Sequence, residues 1–159
     1  MGGGALMVSI GEFPTAQSPL DACLISNESD QTAFVDLGDG IFQVPFDKTV
    51  MPGGDYLSVN GNTITVAAGT FVDLRYSLRA GATEDYVIWD FTNGVALGEW
   101  TRGGTNTGGA VFGVSRPQIE SIDVGVRVRT AGTVRGTATD VGNASLLAVK
   151  LNTIQPMTP

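Results

Sequence analysis

The chain has 159 residues, one domain's worth, and is 42% hydrophobic, enough to build a core. Its 22 glycines and 17 threonines against 2 lysines disfavour long helices and suit short strands joined by tight turns. A formal net charge of −7 with nine cations leaves no basic stripe for nucleic acid or an anionic membrane surface, and the absence of histidine removes Ser-His-Asp and Cys-His triads and histidine metal sites.

Residues 1–38 follow no sustained period and are read as an extended N-terminal arm. They hold a triple glycine, the apolar patch Ala5-Leu6-Met7-Val8-Ser9-Ile10, Phe13-Pro14, Pro19 and the polar cluster Ser26–Asp30, with short strands expected around Cys23–Ser26 and Ala33–Leu37. The start has no basic region and too short an apolar run for a signal peptide, and Leu6 occupies the Ser/Thr position of a myristoylation signal. Synthesis in a cytoplasm is expected. The sole cysteine, Cys23, lies in the run Ala22-Cys23-Leu24-Ile25 and reads as a small buried hydrophobe. Asn27-Glu28-Ser29 and Asn143-Ala144-Ser145 match the glycosylation sequon, which carries little without secretion.

A domain is expected over 39–152, followed by a tail over 153–159. Ile41–Phe46 reads as a strand and Met51–Gly54 as a turn. Tyr56–Val59 and Thr63–Val66 flank Asn60-Gly61, the signature of a type I′ hairpin. In the strand 70–80, Val72, Leu74, Tyr76 and Leu78 alternate with Asp73, Arg75, Ser77 and Arg79, one core face and one polar face. A second strand, Tyr86–Phe91, turns at Thr92-Asn93-Gly94 into Val95–Trp100, and 103–109 reads as a flexible glycine-rich loop. A short strand at Ala110–Val114, alternation over 122–129, a weak strand within 130–140 and the apolar run Ser145–Leu151 complete eight or nine expected strands, with no helix and no internal repeat. The fold class is therefore all-β, an antiparallel sandwich or barrel.

Chemistry is sparse. Glu84, Asp85, Asp90 and Glu99 are candidates for a carboxylate pair, with Asp90 and Glu99 flanking a hairpin, but acidic residues on alternating strands ordinarily occupy the wet face. Asp36-Leu37-Gly38-Asp39-Gly40 offers hard oxygens for calcium and reads first as a turn. Trp89 and Trp100 are read as packing residues rather than a carbohydrate platform. Neither Gly-x-Gly-x-x-Gly nor a P-loop is present, so no phosphate cradle and no cofactor is expected.

From about 41 to 151 the chain resembles the jelly-roll module shared by tumour-necrosis-factor ligands and the globular head of complement component one, in the form found in bacteriophage virion proteins. Ile41–Phe46, Asp55-Tyr56, Ile64-Thr65-Val66, the opening Gly69-Thr70-Phe71 of the central strand, the pair around Asn93-Gly94, Val124–Val128 and Ser145–Leu151 carry the resemblance. It implies a two-sheet jelly roll assembling as a homotrimer. The central strand departs from the pattern at Asp73 and Arg75, and no collagen-like stalk or heptad precedes the domain. Asp73, Arg75 and Arg79, of mixed sign, are the expected trimer contacts. The resulting expectation is a non-enzymatic virion protein on the capsid surface. It is a decoration protein whose arm residues Leu6, Met7, Val8, Ile10 and Phe13 anchor on the major capsid protein or another virion protein, without nucleic acid or membrane. The alternative is the receptor-binding tip of a phage fibre.

Overall fold

In a computed structural model of the chain, residues 21–112, 120–135 and 144–151 are described. They form thirteen antiparallel strands and no helix. The strands are β1 (Ala22–Asn27), β2 (Thr32–Ala33), β3 (Val35–Asp36), β4 (Phe42–Gln43), β5 (Lys48–Pro52), β6 (Leu57–Asn60) and β7 (Thr63–Val66). Then come β8 (Val72–Asp90), β9 (Val95–Ala96), β10 (Thr101–Phe112), β11 (Ile122–Val128), β12 (Thr133–Val134) and β13 (Ala144–Lys150).

One strand organises the rest. β8 merges the two strands expected at 70–80 and 86–91 into a continuous ribbon of 19 residues. Its first half pairs with β13 (Ser77↔Ser145 to Val72↔Lys150), and β13 pairs in turn with β1, with β5 at the edge. Its second half pairs with β11, which carries β4 and β7 on its other side. β10 follows β8 through both halves. Between the halves the register jumps: Gly103 faces Glu84 and Thr105 faces Arg79, so four residues of β8 oppose Gly104 alone. Such a bulge bends the strand and carries it from one layer of the sandwich to the other.

The alternation drives the closure. Val72, Leu74, Tyr76 and Leu78 are all buried, as their period predicts, and share one core with Ile25, Ile64, Ile88, Val126 and Leu146 from both layers. Tyr76 and Tyr86, one from each half of β8, stand 6.3 Å apart between ring centroids, and Phe34 meets Tyr86 edge-on at 6.5 Å. Burial pushes both tyrosine hydroxyls above their ordinary value, with the charge of Glu84 adding to the effect at Tyr86.

Several expectations are corrected. The stretch 103–109 is strand, not flexible loop. A Cβ on Gly108 would lie 2.6 Å from the Tyr76 ring, and one on Gly109 would lie 2.9 Å from the Leu74 carbonyl oxygen. The glycines are there for close packing across β8, which a local reading takes for looseness. The two short strands expected inside the arm exist as β1 and as β2 with β3, but β1 lies between β13 and β5 and is integral to the sheet. The sheet therefore includes Ala22–Asn27, within the segment read as arm. Met51 and Pro52 close β5 instead of forming a turn, and the expected strand Ile41–Phe46 shortens to β4. The hairpin at Asn60-Gly61 is present, but Asn60 pairs with Thr63, so the loop is Gly61-Asn62. Only Gly61 has positive φ (60°) there, the pattern of a type II′ turn. The tail 153–159 lies outside the described residues.

Gly108→Ala forces a methyl against the buried Tyr76 ring. It is expected to lower the unfolding free energy by about 1–3 kcal/mol, the usual cost of overpacking. Urea denaturation checks this, and unchanged stability contradicts the close packing described for β10.

Candidate functional site

The outward face of the first layer is built by cross-strand rows. Leu24 faces Leu147, which faces Arg75. Beside them run Ala22–Val149–Asp73 on one side and Ser26–Ser145–Ser77 on the other. Opposed residues in antiparallel strands share a face, so apolar and charged side chains stand together here. Leu24, Leu147 and Val149 are half-buried while Arg75 is exposed. Asp73 and Arg75 form an ion pair at 3.3 Å, with Arg75 70% exposed along its side chain. Exposed pairs of this kind contribute a few tenths of a kcal/mol at most. Arg79 lies beyond the last pairing with β13, next to the corner, and its carbonyl accepts from the Arg135 amide.

Two of the three charged residues expected at an interface are thus brought together, and Leu24, Leu147 and Val149, which sequence reasoning did not name, join them. A signal was present. Ser145–Leu151 is apolar at both parities: Leu146 and Ala148 face the core while Leu147 and Val149 face outward. A strand apolar on both sides presents hydrophobic side chains on its outward face as well as to the core. The arm residues Leu6, Met7, Val8, Ile10 and Phe13 lie outside the described residues.

Most of the candidate chemical residues have structural work. Asp90 is buried, and its Oδ1 accepts from the Thr92 and Asn93 amides at 2.9 and 3.0 Å while Oδ2 accepts from Asn93 Nδ2 at 2.7 Å, which fixes the turn into β9. Asp85 pairs with Arg102 at 3.0 Å and Arg129 at 3.7 Å. Glu84 is buried at the corner with the Thr130 hydroxyl donating to it. Glu99 lies past β9, beyond the ladder in which Asp90 faces Val95. The guanidinium of Arg127 lies over Trp89 at 4.9 Å and that of Arg129 over Trp100 at 4.1 Å, so each indole has a face occupied by a cation.

The stretch Asp36–Gly40 is a clamped turn. Asp36 Oδ1 accepts from the Gly38 amide at 2.8 Å, and Asp39 Oδ1 accepts from the Ile41 amide at 3.1 Å. Arg127, only 4% exposed along its side chain, donates from Nη2 to both Asp39 oxygens at 2.6 and 2.9 Å and to the Ile41 carbonyl at 2.8 Å. The Arg127 guanidinium and the Ile41 amide hold the Asp39 carboxyl below the usual range. Among the described residues no group of three or more His, Cys, Asp or Glu is placed to hold a metal ion. Asn27 is fully buried with Nδ2 donating to the Pro45 carbonyl at 3.2 Å, which closes the first sequon to a glycan. The second begins outside the described residues. Burial pushes the Cys23 thiol up to about 11, with the charge of Asp21 adding to it.

No family model and no curated protein sequence matches the chain. Solved structures match at the level of fold. Crystal structures of murine APRIL at pH 8.5, 8.0 and 5.0 superpose with TM-scores of 0.55, 0.56 and 0.55 at 16, 16 and 15% identity. Each alignment covers 84% of this chain and 100% of the other. The chain has the tumour-necrosis-factor-like jelly roll expected from its sequence.

Two outcomes follow. Because the folded Asp39 carboxyl is held low, its contribution is present above the unfolded pKa and is lost as pH falls through the folded one. Asp39→Asn should therefore melt below the parent protein at neutral pH, with the gap narrowing under acid; a pH-independent gap contradicts the Arg127 clamp. Cys23 should resist iodoacetamide in the native protein at mildly alkaline pH and react once unfolded, and rapid native labelling contradicts its burial.

Proposed function

We propose that this protein is a non-enzymatic assembly protein that works as a homotrimer, with the β1–β13–β8 face buried between copies. The single observation that carries the reading is the outward row Leu24–Leu147–Arg75 with Val149 and Asp73 beside it. Half-buried leucine and valine next to an exposed, mixed-sign pair suit a symmetric contact. Apolar area drives association at about 25 cal/mol per Å², and the charges fix register between copies. The jelly roll supports the reading through the sequence resemblance to trimer modules. Of the carboxylates and tryptophans that an enzyme or a sugar site would use, Asp85, Asp90, Trp89 and Trp100 are committed to ion pairs, a turn and cation–π contacts.

The role we assign to the trimer is decoration of a bacteriophage capsid, with residues 1–14 as the anchor through Leu6, Met7, Val8, Ile10 and Phe13. An extended arm covers much surface from few residues, and three arms per trimer add avidity.

Leu147→Asp places a carboxylate at the centre of the proposed contact. It should leave the circular dichroism spectrum unchanged and convert the trimer to monomers in sedimentation velocity; an unaltered trimer removes this face from the interface. A chain lacking residues 1–14 should still trimerise but lose occupancy on undecorated capsids. Full occupancy removes the anchoring role, and specific binding of the isolated protein to host cells points to a fibre tip.

A further inference from the structure

At the corner where β8 passes between layers lies a recess of about 360 Å³, bordered by Gln31, Gly81, Glu84, Gly132, Thr133 and Arg135. Its floor is a carboxylate. Glu84 is 6% exposed, and the Thr130 hydroxyl donates to its Oε2. Its other oxygen, Oε1, faces the place where Gly132 lacks a side chain: a Cβ there would stand 3.1 Å from Oε1 and 3.0 Å from the Phe34 ring. A Cβ on Gly81 would stand 2.9 Å from Thr133 Oγ1. Neither glycine has positive φ, so backbone conformation does not require them; the space does.

The wall also carries backbone strain. Gln31, with φ of 56°, is the single non-glycine residue of positive φ among the described residues. Such strain gathers at ligand clamps. Arg135 sits at the mouth but is engaged elsewhere, its Nε 2.8 Å from Asp30 Oδ1. The recess thus presents a carboxylate oxygen, Glu84 Oε1, for which no cation among the described residues is shown as a partner. A charge-assisted hydrogen bond from a cation is the strongest contact such an oxygen can accept.

We propose that this recess binds an organic cation, an alkylammonium or alkylguanidinium group, whose N–H donors meet Glu84 Oε1 while its methylene stem lies along the glycine floor. Lysine and arginine side chains of a partner and free polyamines share this chemistry. The volume is at the small end of ligand pockets and suits one such chain. One carboxylate with an amide and a hydroxyl falls short of the six to eight oxygens calcium takes, and Glu84 repels anions. This site is independent of the β1–β13–β8 face.

Calorimetric titration of the full chain with agmatine, cadaverine and the capped residues Nα-acetyl-arginine and Nα-acetyl-lysine N-methylamide, with calcium chloride as comparison, tests the proposal. Millimolar or tighter binding of the organic cations is expected. Capped residues binding as well as the diamines identifies a partner's side chain as the source, and diamines alone identify polyamines. Glu84→Gln keeps shape and the Thr130 contact, and should weaken binding by roughly tenfold or more. On the unmutated protein, amide shifts on adding agmatine should centre on Gly81, Gly132 and Thr133. Absence of binding, calcium binding in preference, undiminished binding by Glu84→Gln, or shifts centred elsewhere each overturns the site.

Discussion

The fold depends on one strand serving two layers. β8 contributes Val72, Leu74, Tyr76 and Leu78 to the core from its first half and Tyr86 and Ile88 from its second. The bulge opposite Gly104 lets a single ribbon do both. The face and the recess proposed above are placed by that geometry. The first half sets Asp73 and Arg75 beside Leu147 and Val149, the bend creates the recess around Glu84, and the second half offers Trp89 to Arg127. A shared strand also ties the layers together: separating them means breaking the ladders that β8 makes with β10, β11 and β13, so the sandwich is expected to unfold as one unit.

Polar groups that could pass for chemistry are largely used to hold loops. Arg127 illustrates the economy. It is buried, stacked on Trp89, and spans from β11 to Asp39 and the Ile41 carbonyl, pinning the turn before β4 onto the sheet. Asp90 does the same for the turn into β9. Such side-chain clamps replace the regular structure that short connections lack, and they leave the chain's chemistry at faces and recesses, not at a cleft of convergent acids.

Much of this was readable from local pattern. Period two over Val72–Leu78 places a core face, and Asn60-Gly61 places a hairpin, although the turn itself slips one residue because a single positive φ at Gly61 suffices. What escaped the pattern is decided by distant neighbours. Gly108 and Gly109 look like loop residues until the Tyr76 ring and Leu74 carbonyl stand against them. Arg127 alternates like a wet-face residue, but Asp39 and Trp89 bury it. β1 lacks alternation because its outward residues Ala22 and Ser26 are buried as well, leaving only Leu24 half-exposed. On the candidate face, Asp73 and Arg75 were visible as charges out of place on a central strand. Leu24 and Leu147 became partners only once the register of β1 and β13 was known.

The central claim is that the Leu24–Leu147–Arg75 face is covered by further copies of the chain. Native mass spectrometry of the unmodified protein measures this most directly. The account predicts a species of three times 16.5 kDa that persists on dilution; a single 16.5 kDa species at micromolar concentration contradicts it.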